Sequence, residues 1–167
     1  MPPSQLPTGL PTILPTEFKT TILRIDNLIY SQDPRRICGS GSIINLAEVQ
    51  LFDSSIQLAG LGSRASISSV FENNYPASNC FDGNLNSLCH SIPNADTNPW
   101  LQIDLTGLVF NKIVIYNRQD VCVNRIVRAR IAIVTSTGEV RWQSTFATSS
   151  LEYTFYPFLP TSGITQF

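Results

Sequence analysis

The sequence predicts an all-β fold, an antiparallel β-sandwich of jelly-roll type, on three observations. Short apolar runs recur along the chain: TTILRIDNLIY, INLAEVQLF, ASISSVF, WLQIDL, KIVIYN, IVRARIAIV, EVRWQSTF and LEYTFYPF. Several alternate with period two, as a half-buried strand must: Val127, Ala129, Ile131 and Ile133 are expected to face one way, Arg128 and Arg130 the other. Turn pairs such as Asp82-Gly83, Thr137-Gly138 and Ser162-Gly163 punctuate the runs, and no segment sustains a helical period. The result is about eight strands.

The elements follow in order. Residues 1–17 repeat Leu-Pro-Thr from Leu6, Leu10 and Leu14. Proline removes a backbone donor and biases its predecessor towards extended geometry, so this stretch is expected to be a Pro-rich, polyproline-like arm. Residues 18–167 are expected to form the sandwich, a domain of a size that buries enough surface for an unaided core. Trp100 and Trp142 are expected in or half in that core, because indole contributes large area on alternating strands. The last aromatic run, with Tyr153, Phe155, Tyr156 and Phe158, suits an edge or interface surface.

Composition narrows the function. A formal net charge of −1 and scattered acids leave no footprint for nucleic acid. No run is long enough for membrane insertion. The opening lacks the basic start and apolar stretch of a secretory signal. Four cysteines, Cys38, Cys80, Cys89 and Cys122, allow three pairings if all are oxidised, and without a secretion signal reduced, buried thiols are as open as bridges. One His among spaced Cys argues against zinc. No nucleophile lies beside a recognisable base, and no phosphate loop or carboxylate pair stands out, so an enzyme is not expected. The basic residues are skewed to nine Arg against two Lys. Arginine is the planar, forked donor suited to carboxylates and pairs of sugar hydroxyls.

Three stretches carry a family resemblance. LGSRASISSVFENNYPASNCFDGNLNS and NPWLQIDL resemble the alternating strand, Asp-Gly-Asn loop and Trp-led strand of discoidin, or galactose-binding-like, domains. NRQDVCVNR is similar to the Arg-x-Asp and following Arg of F-type lectins (fucolectins). The resemblance implies that Arg118 and Arg125 hold sugar hydroxyls, with Asp120 between them. His90, 28 positions before Arg118, is the third contact. Two departures stand out. His90 directly follows Cys89, so Ser91 occupies the usual place of the lectin histidine. Val121-Cys122 replaces the family's adjacent cysteines, leaving Val121 as an apolar packing surface.

The same resemblance implies a structural calcium ion, Ca2+, with Asn79, Asp82 and Asn84 at the loop, Glu48 at the acidic position of a neighbouring strand, and Ala47 giving its carbonyl. Calcium takes six to eight oxygens, many of them from backbone, which a tight Gly-containing loop can offer. The acidic strand precedes the loop here, so the order looks circularly permuted. The expected function is a calcium-stabilised, lectin-like carbohydrate-binding module whose partner is a glycan of fucose or galactose type. The alternative is a structural or assembly protein, with a flavour of virion and capsid components of large DNA viruses, that docks on other protein chains through its arm. The expected location is accordingly a virion or a cell surface.

Overall fold

The computed structural model describes residues 21–26 and 42–158. The arm expected at 1–17, Cys38 and the Ser162-Gly163 turn lie outside them. Two antiparallel sheets face each other. In the first, β4 (Ala65–Ile67), β6 (Trp100–Asp104), β1 (Thr21–Asp26), β8 (Arg130–Thr135) and β9 (Val140–Thr145) lie in that spatial order. In the second, the order is β10 (Glu152–Phe155), β7 (Lys112–Asn117), β2 (Asn45–Asp53) and β3 (Ile56–Gln57), and the short β5 (Cys89–His90) also pairs with β2. The all-β sandwich is thus the fold of the described residues.

Period-two alternation builds the core. Leu23 and Ile25 of β1, Leu101 and Ile103 of β6, and Ile131 and Ile133 of β8 point inward from the first sheet; Val49, Leu51, Ile113 and Ile115 meet them from the second. Registers such as Leu23 opposite Ile103 and Ile133 bring the inward residues level. Trp100 and Trp142 are half-buried, as expected. On the outer face the Arg24 guanidinium lies 5.0 Å from the Trp100 ring centre, while Arg130 grips the buried Asp26 through its Nη2 at 2.6 Å.

The structure corrects the sequence reading in three places and decides it in a fourth. There are ten strands among the described residues, because β3 and β5 have two residues each and carry no readable period. The run ASISSVF is strand only to Ile67, since the Ser68 and Ser69 hydroxyls turn to the Asp96 carboxylate. The alternation read from Val127 begins only at Arg130: Arg128 takes φ 72°, a left-handed conformation that breaks a strand. Finally, of the two states left open for the cysteines, the described ones take the bridged state. Cys80 and Cys89 are joined, Cα atoms 5.3 Å apart, and Cys122 is disulfide-bonded as well.

β10 is the sheet edge that the aromatic run suggested, yet Tyr153 and Phe155 turn inward. Their rings stand edge-on to Phe146, at 4.8 and 5.5 Å between centres, and Phe155 also meets Trp142 at 5.7 Å. These four rings join the β9 edge of one sheet to the β10 edge of the other. Tyr156 and Phe158 remain exposed.

Candidate functional site

The predicted sugar-contact residues come from three separate segments and meet beside the start of β2. Asn117, at the end of β7, is the clamp. Its amide donates to the carbonyls of Val123 at 2.7 Å and Ser150 at 3.0 Å, and its oxygen accepts from the Arg118 N–H at 2.9 Å. The chain after β7 is thereby folded back on itself, and Cys122, at φ 69°, opens a 3₁₀ turn over Val123–Ile126 that presents Arg125. Arg118 donates through Nε and Nη2 to the two oxygens of Asp120, the second at 2.6 Å. The pairing holds the Asp120 carboxyl below the usual carboxylate range, despite some burial, and fixes the plane of the Arg118 fork.

His90 is 7% exposed and enters from β5. Its Nδ1 lies 2.5 Å from the Ser91 carbonyl, so Nδ1 carries the proton and donates. That leaves Nε2 as an acceptor, 3.5 Å from Nη1 of Arg125. Burial first, then the charges of Arg125 and Arg118, push the imidazole pKa below its ordinary value, against the pull of the Ser91 carbonyl. The ring is therefore neutral at pH 7. Phe71 and Tyr75 back it at 5.0 and 6.0 Å between ring centres. Burial and the neighbouring Arg118 also lower the pKa of Arg125.

Ser91, the alternative position for the lectin histidine, faces elsewhere: it is fully buried, and its hydroxyl accepts from the Ile44 N–H at 3.0 Å. Val121 is 61% exposed, next to the arginine loop. Asn45 escaped the sequence reading. It lies opposite His90 in the β2–β5 ladder and, with its amide oxygen towards the arginines, accepts from Nη1 of Arg125 at 3.1 Å and from Nη1 of Arg118. Phe71 and Tyr75 were missed too. An asparagine at the first position of an apolar strand carries no signal of partners so far along the chain.

The predicted calcium set is divided. The register shift between Leu46 and Glu48 makes Ala47 a bulge, and it is fully buried. The bulge sends Glu48 out of the inner face and under the Asp82-Gly83 turn, where Oε1 accepts from the Gly83 N–H at 3.2 Å. Gly83 has φ 78°, a conformation that favours glycine. Glu48 is 1% exposed, and its Oε2 is buried without a hydrogen-bond partner. Burial, with a contribution from the Asp82 charge, raises its pKa to about 7, although the Gly83 N–H opposes the rise. Asp82 accepts from the Ser87 hydroxyl at 2.8 Å, and the Asn84 N–H returns to Asp82 at 2.8 Å. Asn79 braces the loop by donating to the Asn74 and Leu88 carbonyls.

Those residues fit a hard cation. An orphaned, buried carboxylate oxygen beside a second carboxylate supplies hard oxygen donors of the kind calcium takes. Among the described residues no three His, Cys, Asp or Glu side chains gather as a metal cluster. Amide and backbone oxygens would therefore complete the shell.

Residues 79–158 match the family model of the NedA-like, galactose-binding domain. No curated protein and no solved structure matches the chain. The matched stretch includes His90, Arg118, Asp120 and Arg125, while Asn45 and Glu48 lie before it. With two antiparallel sheets and this match, the chain carries at residues 79–158 a galactose-binding-like domain of the discoidin type.

Proposed function

We propose that the protein is a non-enzymatic carbohydrate-binding module stabilised by calcium. The observation that carries this reading is the convergence of two guanidinium forks and a neutral imidazole acceptor at one place, with Arg125 Nη1 3.5 Å from His90 Nε2 and Arg118 locked by Asp120. Sugar hydroxyls both donate and accept. Forked N–H groups serve their oxygens, the His90 lone pair and the Asp120 carboxylate serve their protons, and the exposed Val121 offers an apolar face to a ring. The calcium reading rests on the buried Glu48 oxygen and adds charge compensation under the loop that leads to β5. Calcium is a structural tie here, with no role in a reaction.

Module affinities of millimolar to micromolar correspond to about 4 to 8 kcal/mol. The test is calorimetric titration with fucose and with galactose, each in calcium and in chelator. Saturable heat with either sugar supports the reading, and no heat under any condition sinks it. Arg118→Ala removes a charged donor, a loss of roughly 1.5–3 kcal/mol. Binding is therefore expected to weaken ten- to hundredfold with unchanged strand content by circular dichroism. Unchanged retention on the sugar would falsify the site assignment.

A second reading, assembly with other protein chains, is favoured by Tyr156 and Phe158, 51% and 54% exposed beside the edge strand β10. Replacing both with serine is expected to abolish any co-sedimentation with such partners and leave sugar binding intact.

A further inference from the structure

We infer that Asn45 is the positioning residue of the arginine pair: its buried amide oxygen accepts from both guanidiniums and so sets the spacing and aim of Arg118 and Arg125 against His90. Three observations converge on it. Asn45 is 3% exposed, so its side chain is fixed by packing. Its backbone is the ladder partner of His90, so one strand pair fixes where the amide and the imidazole stand relative to each other. The same Nη1 of Arg125 that lies 3.5 Å from His90 Nε2 lies 3.1 Å from the Asn45 oxygen, and Nη1 of Arg118 shares that oxygen.

Two cations placed side by side repel, and an acceptor between them holds them without removing their charge. An amide oxygen can do this, because it accepts two hydrogen bonds while staying neutral. Asp120 cannot do the same work alone, since its two oxygens are taken by Nε and Nη2 of Arg118. The outer nitrogen of that fork, Nη1, is the one turned towards Asn45.

The inference rests on the carbohydrate-binding reading for its effect on affinity, but not for its structural readout. The chain contains a single histidine, so the imidazole resonances of the ligand-free protein report on His90 alone. Asn45→Leu removes the shared acceptor, and Asn45→Asp keeps it. Asn45→Leu is expected to lower fucose or galactose affinity at least tenfold, to move the His90 resonances, and to raise the titration midpoint of the ring as the guanidiniums swing away. Asn45→Asp is expected to keep affinity within about threefold, with the midpoint raised further by the added negative charge.

Asn45→Leu with wild-type affinity and unmoved His90 resonances overturns the inference. So does loss of binding in both variants while the imidazole stays unmoved, because Asn45 would then act on the fold and not on the arginines. If Asn45→Leu does not fold, the Asp variant decides: a titration midpoint equal to wild type overturns the inference. If the unaltered protein binds neither sugar, the carbohydrate reading fails while the His90 readout still judges Asn45.

Discussion

Phe146→Ala is expected to destabilise the protein by about 3–5 kcal/mol, the range for truncating a fully buried aromatic side chain. The ring has no exposed surface and takes the edges of Tyr153 and Phe155 at 4.8 and 5.5 Å. Those partners stand on β10 in one sheet, whereas Phe146 follows β9 in the other and pairs through its backbone with Ala129, its N–H donating at 3.0 Å. A cavity there opens the seam between the sheets, and two edge strands hold it from opposite sides. Collapse into the gap is limited because Ala129 behind it is small and already fully buried. Urea unfolding, with the slope compared between variants, measures the effect. A loss below about 1 kcal/mol would show that the seam does not depend on this ring, and Phe146→Leu should fall between the two.

The second large effect is on the dependence of stability on pH. Glu48 has its pKa raised from 4.5 to about 7. Below 4.5 the carboxyl is protonated in both folded and unfolded chains, and its contribution is fully present. As pH rises through the window from 4.5 to about 7, the unfolded chain has released the proton while the folded chain still holds it, so stability falls. At 1.36 kcal/mol per unit, the loss is about 3 kcal/mol by neutral pH.

His90 acts in the opposite sense. Its lowered pKa contributes stability above its unfolded value of 6.5 that is lost as pH falls. The two groups partly cancel in wild type, and the difference from Glu48→Gln isolates the carboxyl. In chelator, Glu48→Gln is expected to gain on wild type as pH rises from 4.5 to 7. Calcium should reverse that order by favouring the ionised carboxylate. Parallel wild-type and Glu48→Gln profiles in chelator would contradict the buried-acid account. Parallel profiles with and without calcium would remove Glu48 from the metal site.

The legible part of this fold is the part that repeats. Leu23 and Ile25 flank the polar Arg24, Leu101 and Ile103 flank Gln102, Ile131 and Ile133 flank the small Ala132, and each of the six faces the core. What broke the pattern was local and unsignalled. The bulge at Ala47 changes the parity of β2, so Leu46 and Val49 both point inward across an interval that simple alternation forbids. Arg128 enters a left-handed conformation where the apolar pattern still reads as strand. In the site, His90, Arg118, Asp120 and Arg125 could be named through the family resemblance of their segments, and the fold brings these four residues together. Asn45 could not be named, because its role exists only once β2 and β5 have paired. Nor could spacing alone choose the cysteine partners: the Cys80–Cys89 bridge depends on the 3₁₀ turn Ala77–Phe81 lying beside β5.

The placement of β1 and β2 decides what can be moved between proteins as a unit. Residues 79–158 supply β5 to β10, but β1 fills the slot between β6 and β8, and β2 the slot between β7 and β3. A fragment cut at the matched boundaries would leave β6 without a neighbour, separate it from the β8–β9 hairpin, and strip Leu23, Ile25, Val49 and Leu51 from the core. Open ladder edges of that kind recruit other chains. The recognisable segment and the graftable one therefore differ: a transplant that keeps the arginine pair in place has to include Thr21 onwards, so that the four strands β1 to β4 from outside the recognised stretch travel with it.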